Sequence, residues 1–273
     1  MRIKMFTVFH RALDERLSFP AIEADDLQTF FTHYGVNAKW PRKEIRRLSG
    51  ALEVAGETSP PDVLLEYRLP VYSPDLQARG FMETSCYVHL LKNNLHLPYD
   101  YLGVCQYDMR WTAPAVKILR ELAAASTHPP TAWGIICGPI MNAQGYLHPL
   151  TFAHIRNWSF MLESYNRFFG TRWEPRMLVG KPFTLFQTYL LPRDEFAALA
   201  AWLDTFCRDV YPWAAEPPYE THWGSLSGYS ERAESLFIAA RIAEGRLRVA
   251  HLPVEHDPDI PKKLQVSKDH YGT

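Results

Sequence analysis

Short apolar runs of strand length alternate along this chain with longer stretches whose apolar residues recur at helical spacing. Strands are predicted at residues 3–9, 63–67, 101–107, 132–137, 183–191 and 247–254. Helices are predicted between them, at residues 83–92, 113–125, 151–169, 192–210 and 230–244. Because consecutive parallel strands need a crossover, usually a helix, this alternation favours a mainly parallel sheet. We therefore predict an α/β fold whose central sheet carries helices on both faces.

The same pattern predicts one domain over residues 1–257, followed by a polar, proline-broken C-terminal tail over residues 258–273. Residues 11–61 are rich in charged and turn-forming residues. We interpret them as an excursion with short helices, not as a second domain.

The composition excludes several classes of partner. The 273 residues are 47% hydrophobic, which permits a sizeable core, and the formal net charge is -1. A nearly neutral chain lacks the field that holds nucleic acid or an anionic membrane surface. No apolar stretch approaches the ~18 residues of a transmembrane segment, and residues 1–9 are too short and strand-like for a signal peptide.

The four cysteines lack the spacing of a zinc site, so reduced thiols and a cytoplasmic location are expected.

One carboxylate follows a predicted strand near the middle of the chain. Asp108 comes directly after the strand at 101–107, at the carboxyl end where open α/β sheets bind ligands. Mg²⁺ and Mn²⁺ prefer carboxylate oxygen, and they typically bind one or two protein carboxylates together with substrate phosphates. Asp108 is therefore a candidate ligand for a divalent cation or its diphosphate. The alternatives are a cap for the helix that begins near Ala113, or an ion pair with Arg110.

A second acid lies where a glycine-rich, aromatic segment at residues 219–232 runs into a predicted helix. Glu231 would occupy the first turn of that helix and face the cleft above the sheet. A carboxylate there could accept a proton from a sugar hydroxyl. The alternative is an acid that stabilises the helix dipole, with Arg232 and Glu234 as solvated surface charges.

Three histidines occur near predicted strand ends. His256 could supply imidazole to a metal ion held by Asp108, although a histidine in this position is also typical of a surface. His251, inside the last predicted strand, is interpreted as structural. His10, at the end of the first strand, is a candidate nucleotide contact and equally a polar strand-end residue.

Common nucleotide-binding and hydrolase motifs are missing from the sequence. It contains no GxGxxG fingerprint, no GxxxxGK[ST] phosphate loop and no GxSxG nucleophile elbow. The most frequent dinucleotide, triphosphate and serine-hydrolase sites are therefore not expected.

Three sequence blocks resemble a known group of proteins. They are YRLPVYSPDLQARGFMETS at 67–85, YLGVCQYDM at 101–109 and GYSERAESLF at 228–237. In this order they resemble glycosyltransferase-like proteins of large DNA viruses and bacteria, which are related to the capsular polysaccharide glycosyltransferase domain family. The resemblance spans most of the chain, from about Val63 to Phe237 by motif comparison.

This resemblance implies a GT-A-like fold, a nucleotide-sugar donor and usually a divalent metal, Mn²⁺ or Mg²⁺. Asp108 matches the family's acid at a mid-chain strand end, whereas the usual second acid is replaced by Arg110, which could itself neutralise diphosphate charge. Glu231 matches the placement of the base in inverting members. His256 is the nearest match to a C-terminal metal-binding histidine.

The resulting hypothesis is a glycosyltransferase that moves a hexose or pentose from a nucleotide-diphosphate donor, with a UDP-sugar expected, to a glycan acceptor in polysaccharide biosynthesis. The predicted residues are Glu231 and Asp108 for catalysis, Asp108 and His256 for the metal, His10, Gln106, Asp108 and Arg110 for the donor, and Trp223 and Tyr229 for the acceptor. A catalytically silent saccharide-binding module and a nucleotide-sugar hydrolase are the alternatives.

Overall fold

The computed structural model describes residues 1–10, 12–36, 45–48, 51–54, 63–127, 129–148, 158–214 and 226–263. Seven strands of these segments form one central sheet. In chain order they are β1 (Ile3–Phe9), β3 (Phe31–Gly35), β6 (Val63–Leu65), β7 (Tyr101–Gln106), β9 (Thr131–Pro139), β10 (Pro182–Pro192) and β11 (Arg248–His251).

The spatial order of the sheet is β11-β9-β10-β7-β1-β3-β6. β10 runs antiparallel to both of its neighbours, and the other six strands share one direction. The predicted α/β class with a mainly parallel sheet is therefore confirmed.

Helices cover both faces of this sheet. They are α1 (Glu15–Ser18), α2 (Ala24–Phe30), α3 (Pro74–Ala78), α4 (Thr84–Lys92), α5 (Ala113–Ala124), α6 (Ser159–Phe169), α7 (Arg193–Ala214), α8 (Leu226–Ala243) and α9 (Ile260–Lys263). Alternate residues of β1 enter two different cores: Phe6 and Val8 pack in the core that contains α4, α6, α7 and α8. Met5 and Phe9 pack in the core that contains α5. This two-sided burial explains the continuous apolar character of β1.

Two smaller ribbons lie beside the sheet. β8 (Met109–Arg110) pairs antiparallel with β12 (Glu255–His256), and β2 (Ala12–Asp14), β5 (Ala51–Val54) and β4 (Ile45–Leu48) form a three-stranded ribbon. The β8–β12 ribbon matters for the site because it brings the chain's C-terminal segment to the end of β7.

The segment at 11–61, predicted as an excursion, contributes β3 to the central sheet. The prediction missed this strand because polar residues interrupt its apolar run. His33 is nevertheless buried, and its Nε2 atom lies 2.8 Å from the carboxylate of Glu15. A buried polar residue that has a hydrogen-bond partner is compatible with a central strand.

Three boundaries near the C-terminus differ from those predicted. α8 begins at Leu226 and not at residue 230, so Glu231 lies in the second turn. The strand predicted at 247–254 ends at His251 as β11, and the chain after Pro253 joins the separate ribbon as β12. The predicted tail is structured as far as Lys263, because α9 buries Ile260 completely.

All four cysteines, which lie in the described segments, are free thiols. Among the described helices, none is both long and apolar enough to cross a membrane.

Candidate functional site

The strand order places a switch point at the carboxyl edge of the sheet, between β1 and β7. β1 pairs with β3 on one side and with β7 on the other. Connections leaving neighbouring strands in opposite directions open a crevice outside their carboxyl ends, where open α/β sheets bind ligands. His10 follows β1 directly, and the half-buried Gln106 is the last residue of β7. Two of the predicted donor-binding residues therefore flank this crevice.

His10 forms a buried pair with Glu83, an acid that no sequence pattern indicated. Its Nε2 atom lies 3.0 Å from Oε1 of Glu83, the residue immediately before α4. The His10 ring also packs edge-on against Tyr107, just beyond the end of β7. These contacts tie the ends of β1 and β7 and the start of α4 together at the crevice.

Asp108 and His256 meet at the same edge, although 148 positions separate them in the chain. The His256 Nε2 atom lies 3.3 Å from Oδ2 of Asp108, and the β8–β12 ribbon brings the two residues together. The hydrogen bond to Asp108 raises the pKa of His256, and burial opposes this shift. The other carboxylate oxygen of Asp108, Oδ1, is buried and has no hydrogen-bond partner within the described segments.

Both alternative roles considered for Asp108 are filled by other residues. The cap of α5 is Thr112, whose hydroxyl accepts the N–H of Ala115 at 3.4 Å. Arg110 is exposed and pairs with Glu255 across the β8–β12 ribbon, with 3.0 Å between its Nε atom and the carboxylate. Arg110 therefore does not neutralise Asp108 in the described contacts.

The Asp108–His256 pair fits a hard divalent cation as a partial ligand set. The buried, unpartnered Oδ1 of Asp108 is a hard carboxylate donor, and the neighbouring imidazole could add a nitrogen ligand. For the imidazole of His256 to bind the cation, it would have to lose the proton that its raised pKa favours. In the described parts of the chain, no group of three or more His, Cys, Asp or Glu side chains could hold a metal. Mg²⁺ and Mn²⁺ sites commonly take their remaining ligands from phosphates and water.

Glu231 is engaged through both carboxylate oxygens. Its Oε1 accepts the backbone N–H of Phe186 at 2.7 Å, and its Oε2 lies 2.6 Å from the guanidinium of Arg232. The Arg232 side chain is completely buried, and burial lowers the pKa of this guanidinium. Because both of its oxygens are bonded within the protein, this carboxylate stabilises the positions of the groups that it contacts.

The strand next to β7 contains a sharp irregularity, which we call the β10 kink (Phe186–Thr188). Leu185 pairs with Ile135 of β9, and the next paired residue of β10, Tyr189, pairs with the adjacent Gly134. Three residues of β10 therefore bulge out of the pairing with β9. Phe186 and Gln187 have φ angles of 66° and 44°, a backbone region that residues other than glycine rarely adopt. Such conformations persist only where the surroundings fix them, and they are concentrated at functional sites.

Glu234 holds the β10 kink from within the protein. Its side chain is 0% exposed, and Oε1 accepts hydrogen bonds from Gln187 at 2.9 Å and from Thr84 at 3.4 Å. Burial raises the pKa of this carboxyl well above its usual value, and the neighbouring carboxylates of Glu231 and Glu83 act in the same direction.

The alternative that treated Arg232 and Glu234 as solvated surface charges is therefore wrong. α8 packs against β10, α4, α6 and α7, which leaves it no continuous solvent-facing side. One signal was present in the sequence: the apolar residues of α8 are distributed over every side of the helix, as is typical of a buried helix.

The two predicted acceptor-binding residues do not form a surface in the described segments. Tyr229 is 3% exposed and belongs to the core. Trp223 lies outside the described residues. An aromatic contact that the sequence did not suggest lies at the site instead: the rings of Phe186 and His256 stack with centroids 4.5 Å apart and an interplanar angle of 20°.

Comparison with known proteins does not assign this chain to a family. No protein-family model matches the sequence. No curated protein matches it either. The functional interpretation therefore depends on the chemistry of the site and on the resemblance of the three sequence blocks.

Proposed function

We propose that this chain is a GT-A-like glycosyltransferase that transfers a sugar from a nucleotide-diphosphate donor, with a UDP-sugar expected, to a glycan acceptor. One observation carries the proposal: Oδ1 of Asp108 is buried without a partner in the described segments, while Oδ2 of the same carboxylate lies 3.3 Å from His256. The pair is located at the carboxyl edge of a mainly parallel sheet, next to a switch point. The order of the three resembling blocks supports the same class.

In this proposal the donor lies across the carboxyl ends of β1 and β7. His10 and Gln106 flank the crevice and would contact the nucleotide. Asp108 and His256 would hold Mn²⁺ or Mg²⁺. The cation, when bound, would supply Lewis-acid stabilisation of the charge on the leaving diphosphate. Arg110 would reach a phosphate only by leaving its exposed ion pair with Glu255, which is weak enough to exchange.

The role of Glu231 separates into two hypotheses. To act as the base, its Oε2 would have to exchange Arg232 for the acceptor hydroxyl. Its contacts with Arg232 and with the N–H of Phe186 favour a supporting role, in which it fixes the β10 kink. Carboxylates are efficient bases when their pKa lies near the working pH, and a buried cation at 2.6 Å works against that.

The test is a screen of nucleotide sugars for transfer and donor cleavage, with and without Mn²⁺, followed by calorimetry of UDP with Mn²⁺. We expect metal-dependent binding in the native chain and its loss, by about 100-fold or more in affinity, in Asp108→Asn. The substitution should not unfold the protein, because Oδ1 of Asp108 gives up no described hydrogen bond.

Asp194→Asn provides the matched control, because Asp194 lies at the start of α7 with a 91% exposed side chain. It should leave UDP binding unchanged. Native-like transfer in a folded Asp108→Asn variant would remove Asp108 from the mechanism and with it the main support for the proposal.

A saccharide-binding module without catalysis is the second candidate. The observation that favours it is the Arg110–Glu255 pair, which occupies the position where the resembling family carries a second acid. Such a module would bind glycans but give no Mn²⁺-dependent signal with UDP. Donor cleavage that proceeds equally without any acceptor would indicate a nucleotide-sugar hydrolase instead.

A further inference from the structure

Two carboxylates of α8 hold the β10 kink from the same helix face. Glu231 and Glu234 are three positions apart, a spacing that places side chains next to each other on a helix. Glu231 accepts the backbone N–H of Phe186 at 2.7 Å, and Glu234 accepts the side-chain amide of Gln187 at 2.9 Å. Each of the two residues of the β10 kink that have positive φ is thus held by its own carboxyl group.

The Gln187 side chain is itself buried and shared between two elements. Its amide donates to Glu234 and, at 3.0 Å, to the hydroxyl of Thr84 in the first turn of α4. Gln187 therefore connects α8, β10 and α4 at one point. A buried amide with two donated hydrogen bonds has little freedom to rotate.

The kink is connected to the proposed ligand site by an aromatic contact. The Phe186 ring stacks on the ring of His256, and His256 reaches Asp108 through its Nε2 atom at 3.3 Å. His256 belongs to a ribbon of only two short strands, which by itself is marginally stable. Packing against Phe186 is therefore a main constraint on where this imidazole lies.

We infer that Glu234 is a positioning residue: acting through Gln187 and Phe186, it holds His256 against Asp108. Glu234 cannot contact a ligand itself, because its side chain is 0% exposed. Its Oε2 atom is buried without a partner in the described segments. An acid in this environment is expected in its neutral form, for which glutamine is the closest isostere. The inference deepens the proposed function, and it depends on that function only for its donor-binding readout.

The experiment compares Glu234→Ala with Glu234→Gln in the full chain. The readout is the imidazole signal of His256 in histidine-selective NMR, assigned by its loss in His256→Gln. In the native chain the signal should carry a ring-current shift from Phe186, and Phe186→Leu should remove it. We expect Glu234→Ala to move the signal in the same direction and Glu234→Gln to keep it in place.

Glu66→Ala is the matched control. Glu66 is also 0% exposed, also has one buried oxygen without a partner among the described residues, and contacts Ser85 and His89 instead of the kink. It should leave the His256 signal unchanged. An equal movement of that signal in Glu66→Ala would show general destabilisation and would overturn the inference.

Donor binding provides the second readout. Affinity for UDP with Mn²⁺ should fall about 10-fold or more in Glu234→Ala and stay within about twofold in Glu234→Gln, the range seen when residues that orient metal ligands are changed.

A folded Glu234→Ala protein with an unchanged His256 signal overturns the inference. If that variant does not fold, Gln187→Ala breaks the same contact from the other side, and an unchanged His256 signal there has the same meaning. Absence of metal-dependent binding of every nucleotide diphosphate tested would reject the proposed function, while the NMR comparison would still decide the role of Glu234.

Discussion

A carboxyl group that is removed from water binds its proton more tightly, and Glu234 provides a pH-dependent test of this effect. Burial raises its pKa in the folded state above the ordinary glutamate value of 4.5. Above about pH 4.5 the unfolded chain has released this proton while the folded chain keeps it, so this group's contribution to the free energy of unfolding declines as pH rises. The decline continues until pH passes the folded-state pKa.

As the pH rises from 5 to 8, the free energy of unfolding of Glu234→Gln should therefore increase relative to that of the native chain. Glutamine carries no titrating proton, so the loss that the native carboxyl causes on rising pH is removed. Urea unfolding at several pH values measures the difference in free energy between the two proteins. A difference that stays constant across this range would show that Glu234 ionises normally, contrary to its burial.

The contacts of Glu231 make a different prediction. Glu231→Gln should lower the free energy of unfolding by about 3 kcal/mol, because the buried Arg232 loses its carboxylate. The double variant with Arg232→Met should recover much of that loss. Turnover should fall less than 10-fold, since the glutamine oxygen can still accept the N–H of Phe186. A loss of roughly 10²–10⁴ in turnover with unchanged UDP binding is the signature of a general base and would restore that role.

At the scale of single residues, the sequence identified side chains by chemistry but could not reveal their partners. Asp108 stood out because it follows an apolar run, whereas its distance from His256, 148 positions further along the chain, depends on how the intervening chain folds. Glu83 and Glu234 were not selected because an isolated acid in a helical stretch resembles a surface charge. What distinguishes Glu234 is burial on all sides of α8, which depends on how α8 packs against other helices and β10.

Among the elements, β7 is constrained by a close approach to both of its neighbouring strands. It lies between β1 and β10. A Cβ atom at Gly103 would lie 2.2 Å from Sδ of Met5 and 2.3 Å from the backbone oxygen of Tyr189. Met5 could adjust, but the oxygen belongs to a paired strand and cannot move without separating β7 from β10. Glycine at this position is therefore required by the close approach of two backbones.

Gly103→Ala should cost about 3 kcal/mol in thermal or urea unfolding, since overpacking outweighs the smaller entropy gain of alanine in the unfolded chain. Gly134→Ala is the matched control in the neighbouring part of the sheet. Its Cβ would meet the ring of Tyr189 at 3.0 Å, so this side chain would have to move by only a few tenths of an ångström. We expect a cost of about 1 kcal/mol there. Equal costs for the two substitutions would contradict the close approach of β7 and β10.

Strands with both faces buried were predictable as elements, whereas irregular strands were not. β1, β7 and β10 appear in the sequence as apolar runs because each enters two cores. β3 was missed because it contains the polar residue His33, which is buried and bonds Glu15 through Nε2, a contact outside the local pattern. The β10 kink also escaped prediction, since positive φ angles at Phe186 and Gln187 are imposed by α8 and not by local residue preference.

Across the whole molecule, the candidate site joins opposite ends of the chain. His10 follows the first strand and His256 belongs to the last ribbon, and both lie at the edge of the sheet where β7 ends. The order of elements predicted this edge, but not that the chain after β11 would return to it. Beyond His256, α9 fixes the returning segment by burying Ile260 completely. Ile260 thus attaches the segment to the protein, whereas the ligand role proposed for the segment belongs to His256.

This separation predicts opposite outcomes for two substitutions four positions apart. Ile260→Ala removes fully buried aliphatic atoms and should lower the free energy of unfolding by about 2–4 kcal/mol, with UDP and Mn²⁺ affinity changed less than about threefold in the folded protein. His256→Gln removes a side chain that is 32% exposed, so stability should change by less than about 1 kcal/mol while metal-dependent UDP binding falls 10-fold or more. Thermal unfolding and calorimetry on the same samples measure both quantities. If His256→Gln destabilises the protein as much as Ile260→Ala and leaves binding intact, His256 serves only to anchor the C-terminal segment, and the ligand role proposed for it is wrong.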